Sequence, residues 1–225
     1  MEDVKQRFVN SLSIAFKMVA VLWVVHLFQV ISNWDLGYMG IWPRRIFGFK
    51  GIFLAPLIHA DFQHLISNSI PLFVLSTTIF FFYRRVAAPS IIMIYLLTGL
   101  SVWLLGRPVF HIGASGVVYG MVAFVFWNGI FRRNIKSIIL AAIITMLYSG
   151  YFYGILPNQE GISWESHLLG GVMGIFASYW YKEAIEADEA PKRYSWEDED
   201  PGEGKYFLDR NTFEMTKDQR RQLWE

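Results

Sequence analysis

Apolar side chains along this chain fall into six long blocks, at roughly residues 12–31, 53–82, 88–105, 115–131, 137–156 and 167–181. A bilayer core about 30 Å thick calls for repeated runs of about 20 apolar residues, whereas a soluble domain of this length does not. The pattern predicts an all-α polytopic membrane protein, a bundle of six transmembrane helices. The second block is overlong, and its first part carries His59, Asp61, His64 and Asn68. Polar groups at membrane depth face a bundle interior or a water-filled cavity. The long connector at about 32–52 is rich in aromatic residues and glycine, including Trp34, Tyr38, Trp42 and Phe49. That composition suits an element lying in the membrane interface.

Composition sharpens this picture. The chain is 54% hydrophobic and 17% aromatic, and its formal net charge of +1 conceals an asymmetry. Residues 1–182 hold 13 Lys/Arg against 6 Asp/Glu, and residues 183–225 hold 7 against 13. We therefore expect a six-span domain over 1–182 and an acidic cytoplasmic tail over 183–225, partly disordered, with room for a short helix near 214–224. The absence of cysteine excludes disulfides, thiolate chemistry and Cys-ligated metals. The N-terminus lacks a cleavage site of small residues, so the first block is expected to be a retained span. No basic patch supports nucleic-acid binding.

The connectors predict an orientation. With the N-terminus inside, the inner loops carry Lys5, Arg7, Arg84, Arg85, Arg132, Arg133, Lys136 and Lys182, against Arg44, Arg45, Lys50 and Arg107 outside. The positive-inside bias places both termini in the cytoplasm. Spans two, four and six then run in the same direction, and His64, Asn68, Ser115 and His167 lie near one leaflet.

This convergence carries the candidate chemistry. Ser115 opens a span within Gly113-Ala-Ser-Gly116 and needs an adjacent base to become a nucleophile. His167, 52 residues on, heads another span and is mostly neutral at pH 7. Gly116 and Gly120 follow the serine, while Gly170, Gly171 and Gly174 follow the histidine, so small residues permit close helix packing. The backbone N–H of Ser115 at a helix start is free to meet an oxyanion. His64 and Asn68 share a helical face and offer further donors. Tyr119, one turn after Ser115, is placed to hold the imidazole of His167. No acid lies one turn from His167, and Glu165 is expected in the preceding loop, so the arrangement reads as a dyad oriented by packing.

Three blocks match one known pattern: His59-Ala-Asp-Phe-Gln-His64-Leu-Ile-Ser-Asn68, Gly113-Ala-Ser115-Gly-Val-Val-Tyr119-Gly and Ser163-Trp-Glu-Ser-His167-Leu-Leu-Gly170-Gly. Over about residues 34–182 the chain resembles the rhomboid family of intramembrane serine proteases, in its basic six-span form. The resemblance implies Ser115 as nucleophile and His167 as general base. It implies His64, Asn68 and the Ser115 N–H as the oxyanion hole, with Tyr119 stacked on the base. It implies an enzyme of the bacterial plasma membrane without a cofactor, acting on other membrane proteins, often single-pass, near the outer boundary of a transmembrane segment. Connectors 32–52 and 157–164, with the top of span five, are the candidate gates. Trp42-Pro-Arg44 departs from the family's adjacent Trp-Arg pair.

Competing readings are weaker. The zinc signature H-E-x-x-H is absent, since His59 and His64 are five apart with no glutamate between them, and no metal is expected. Aspartyl proteolysis needs two buried aspartates in separate spans, and only Asp61 lies close to one. A client-binding pseudoprotease is expected to lack the serine or histidine. A small transporter is expected to show an inverted repeat, and none is evident. His59 is expected to be structural, Asp61 to cap or bond locally, and His26 and His111 to be interfacial.

Overall fold

In a computed structural model, residues 4–157, 163–184 and 216–222 are described. The chain divides into two compact units, Met1–Glu189 and Ala190–Glu225. Of the second, only Thr216 and a short helix, Lys217–Gln222, fall among the described residues. Residues 185–215 and 223–225 of the expected acidic tail, and most of loop 157–164, lie outside them.

The first unit is helical. Its elements are α1 (Val4–Ser32), the single turn α2 (Gly51–Leu54), α3 (Phe62–Phe82), α4 (Ala87–Leu105), α5 (Ser115–Arg132), α6 (Ile135–Tyr148) and α7 (Trp164–Trp180). A 3-10 stretch, Ser149–Ile155, continues α6. Four of these stretches are by themselves long and apolar enough to cross a membrane: Val4–Ser32, Phe62–Phe82, Ala87–Leu105 and Ile135–Ile155. Their outward faces carry large exposed apolar side chains such as Phe16, Val24, Ile70, Leu104 and Met146, as lipid-facing helices require.

The overlong second block is two elements. α2 and a 3-10 turn over Ala55–Leu57 end at Ile58, and α3 begins only at Phe62. Pro56 favours the first break, and Asp61 caps the new helix by accepting the His64 N–H at 2.7 Å. The 32–52 connector folds into 3-10 turns at Gly37–Met39 and Ile46–Gly48. Arg44 fastens it to the end of α4, donating through Nη1 to the carbonyls of Gly106 at 2.8 Å and Leu104 at 3.2 Å.

α5 sits at the centre of the bundle and packs most extensively on α7. The approach is that of backbone on backbone. A Cβ at Gly120 would come 3.0 Å from the Gly170 carbonyl, and one at Gly174 or Gly170 would overlap the carbonyl of Gly120 or Gly116. Gly171, expected in the same packing set, lies outside it, because a Cβ there meets nothing within 4 Å. The apolar core under this contact includes Met121, Phe124, Val125 and Ala177, none of them exposed.

Candidate active site

The cleft forms where the first turns of α3, α5 and α7 meet. Ser115 is the first residue of α5 and His167 the fourth of α7. The contact between Gly116, next to Ser115, and Gly170, one turn after His167, brings the two starts together. The serine is reached through Gly113, whose φ of +98° suits glycine and whose N–H donates to the Ala55 carbonyl at 2.8 Å. A side chain there would also strike the His64 ring, with Nε2 only 2.6 Å from the Cβ position. Gly113 therefore serves the loop that presents Ser115 and not a helix–helix contact, which corrects its expected packing role.

The Ser115 hydroxyl lies 2.8 Å from Nε2 of His167. On the other side of the ring, Nδ1 is 2.8 Å from the Gly154 carbonyl. A carbonyl only accepts, so Nδ1 carries the proton and Nε2 is left to accept from Ser115. Tyr119 stacks on the imidazole with ring centres 4.1 Å apart and planes 8° from parallel. Its hydroxyl donates to the Tyr151 carbonyl at 2.8 Å. The 3-10 stretch after α6 thus supplies two main-chain acceptors, one for the stacked tyrosine and one for the histidine. Nothing in the side chains of residues 151–154 signals either role.

His64 and Asn68 lie on α3 across the cleft, and the Asn68 amide donates one hydrogen bond to the His64 carbonyl at 2.8 Å. An amide has two donors, so one remains. A cavity of about 960 Å³ runs between them, lined by His64, Asn68, Ser115, Tyr119, Tyr151 and His167. His59 is fully buried, edge-on to His64 with ring centres 5.0 Å apart.

Three expectations about outlying residues are corrected. His26 is buried against the edge of Phe62 instead of sitting at the interface. Glu165 belongs to the first turn of α7, is buried, and pairs with Arg107 Nε at 3.0 Å. His111 is buried too and bonded at both ring nitrogens, to Ser163 Oγ and to the Arg107 carbonyl. Burial holds its imidazole below the usual histidine range. Among the described residues no three His, Cys, Asp or Glu side chains converge in a way that could hold a metal ion.

Fold and cleft together define a polytopic helical membrane protein with a serine and a histidine hydrogen-bonded at one end of its bundle. The Rhomboid domain family matches residues 47–183. An uncharacterised protein of Mycobacterium tuberculosis (strain ATCC 25618 / H37Rv) is 38% identical over 172 residues, covering 72% of this chain and 71% of its own. An uncharacterised protein of Mycobacterium leprae (strain TN) is 32% identical over 170 residues, covering 72% and 67%. The chain belongs to the rhomboid family, a family of intramembrane proteases.

Proposed function

We propose that this protein is an intramembrane serine endopeptidase that cuts transmembrane segments of other membrane proteins, single-pass proteins among them, near the outer face of a bacterial plasma membrane. The observation that carries this reading is the 2.8 Å contact between Ser115 Oγ and a His167 ring whose other nitrogen is already committed to a carbonyl. In that tautomer His167 is ready to act as a base.

Acylation begins as Nε2 of His167 takes the Ser115 proton while Oγ attacks the scissile carbonyl carbon. The carbonyl oxygen becomes an oxyanion. As first residue of α5, Ser115 has an N–H without an intrahelical acceptor, free to meet that charge together with the second Asn68 donor and the His64 ring. Each donor of this kind contributes about 3–4 kcal/mol in well-studied hydrolases. The proton on Nε2 then passes to the leaving amine nitrogen, the C–N bond breaks, and a water repeats the cycle to free the serine. Throughout, Nδ1–H stays on the Gly154 carbonyl.

The membrane-facing substrate follows from the same physics. A stable helix hides its carbonyls, so a helix-weakening stretch must unfold into the cleft before Ser115 can reach one. The outer-face site follows from the Lys/Arg distribution, which puts the first turns of α3, α5 and α7 on the outer side.

The test is incubation of purified protein in liposomes with a fluorescent single-span reporter. Wild type is expected to cleave it, and Ser115→Ala and His167→Ala to lose cleavage by at least about 10³-fold. Cleavage that persists in purified Ser115→Ala sinks the mechanism.

A further inference from the structure

The turn between α4 and α5 is tied to the start of α7 by a directional chain of hydrogen bonds outside the Ser115–His167 pair. His111 Nε2 is 3.0 Å from the Arg107 carbonyl, so that nitrogen carries the ring proton. Nδ1, 2.6 Å from Ser163 Oγ, must then accept the Ser163 hydroxyl proton. Having donated its only proton, Ser163 Oγ accepts in turn from Ser166 Oγ at 2.6 Å. The direction runs from Ser166 to Ser163 to His111.

Both ends of the chain are anchored. The backbone of His111 pairs with Ile41 in both directions at 2.9 Å, and four residues later the same strand of chain delivers Ser115. At the other end Ser163 directly precedes α7, yet its side chain makes no cap for that helix. Its carbonyl instead takes the His167 N–H at 3.3 Å. A shift of Ser163 is therefore a shift of His167. Alongside, Arg107 and Glu165 form a second tie between the same two segments. Two ties therefore join the turn before Ser115 to the start of α7. Arg107 and Glu165 are also the charged groups that face the His111 ring.

We infer that His111 is a positioning residue: through Ser163 it holds the first turn of α7, and hence the His167 imidazole, at hydrogen-bonding distance from Ser115. This rests on the Ser115–His167 reading above. His111→Ala is expected to lower kcat for the single-span reporter about 10- to 100-fold, as an ångström-scale misplacement does. KM is expected to stay within about twofold, since the cleft walls remain. Covalent labelling of Ser115 by a fluorophosphonate should slow in proportion. His111→Asn places an amide oxygen near the position of Nδ1 and is expected to regain most of kcat. Ser163→Ala should copy His111→Ala, and the double variant should be no worse than either single.

Thermal unfolding in detergent separates misplacement from collapse, and Ser163→Ala, which deletes one oxygen atom, supplies the same readout where His111→Ala does not fold. Wild-type kcat in a folded His111→Ala or Ser163→Ala overturns the inference, and so do additive losses in the double variant or an Asn variant no better than Ala. None of these outcomes touches the Ser115–His167 reading, which fails if Ser115→Ala or His167→Ala still cleaves.

Discussion

At Gly154 a backbone carbonyl occupies the place that a carboxylate holds in a Ser-His-Asp triad. It fixes the His167 tautomer but brings no negative charge to stabilise the imidazolium, so orientation rests more heavily on the Tyr119 stack. Space at this point is tight. A Cβ on Gly154 would overlap the Tyr119 hydroxyl and come within 3.2 Å of His167 Nδ1. Gly154→Ala is expected to push the tyrosine off the imidazole and cut kcat about 10- to 100-fold. Removing the hydroxyl relieves the overlap, so Gly154→Ala with Tyr119→Phe should recover to within about tenfold of wild type, a non-additivity expected of groups in contact. Reporter kinetics on the four proteins decide the matter, and a double variant no better than Gly154→Ala counts against this account. The residues that the proposed mechanism uses stand out in the sequence, because Ser115, His167, His64 and Asn68 are costly in lipid unless used. Gly154 does not, since every residue carries a carbonyl. The bonded, buried setting of His111 is equally hidden, because its partner Ser163 comes 52 residues later.

Among the elements, α5 and α7 trade apolar side chains for closeness. Both fall outside the set of helices that are long and apolar enough by themselves to cross a membrane. Their glycine faces bring the two backbones into contact from Gly116, beside Ser115, down to Gly174. The cost of a methyl group should therefore depend on the face it occupies. Gly174→Ala drives a Cβ into the Gly120 carbonyl and is expected to destabilise the bundle by about 1–3 kcal/mol, the usual range for overpacking. Gly171→Ala meets open space and is expected to stabilise α7 by about 0.5–1 kcal/mol, through helix propensity alone. Unfolding titrations in mixed micelles separate the two, and equal effects would contradict the packing described. Sequence spacing identified the set of glycines but not their facing, because positions 170 and 171 differ by about 100° around a helix and only one can point at α5. The overlong second block shows a similar limit: Pro56 and Asp61 mark the break before α3, but the apolar residues on both sides hid it.

For the whole molecule, α3, α5 and α7 run parallel, so their first turns gather at one end of the bundle whichever way the chain is inserted. Which side of the membrane that end faces is an expectation from charge: with both termini inside, eight Lys/Arg fall on the inner side against four on the outer. The chain contains no cysteine, so an introduced thiol is a unique label. Gln6 is exposed near the start of α1, and Pro108 is exposed in the turn before Ser115. If both termini are cytoplasmic, Pro108→Cys in intact bacterial cells reacts with a membrane-impermeant maleimide, and Gln6→Cys reacts only after the membrane is permeabilised. The opposite pattern would invert the topology and move the cleft to the inner leaflet. The dyad geometry would survive that result, because it depends on helix direction within the bundle, but the expected cut sites would shift to the cytoplasmic ends of substrate segments. Placing the same single-span reporter in both orientations in liposomes then links topology to activity. Cleavage confined to the segment end on the side where Pro108→Cys is labelled is the expected outcome.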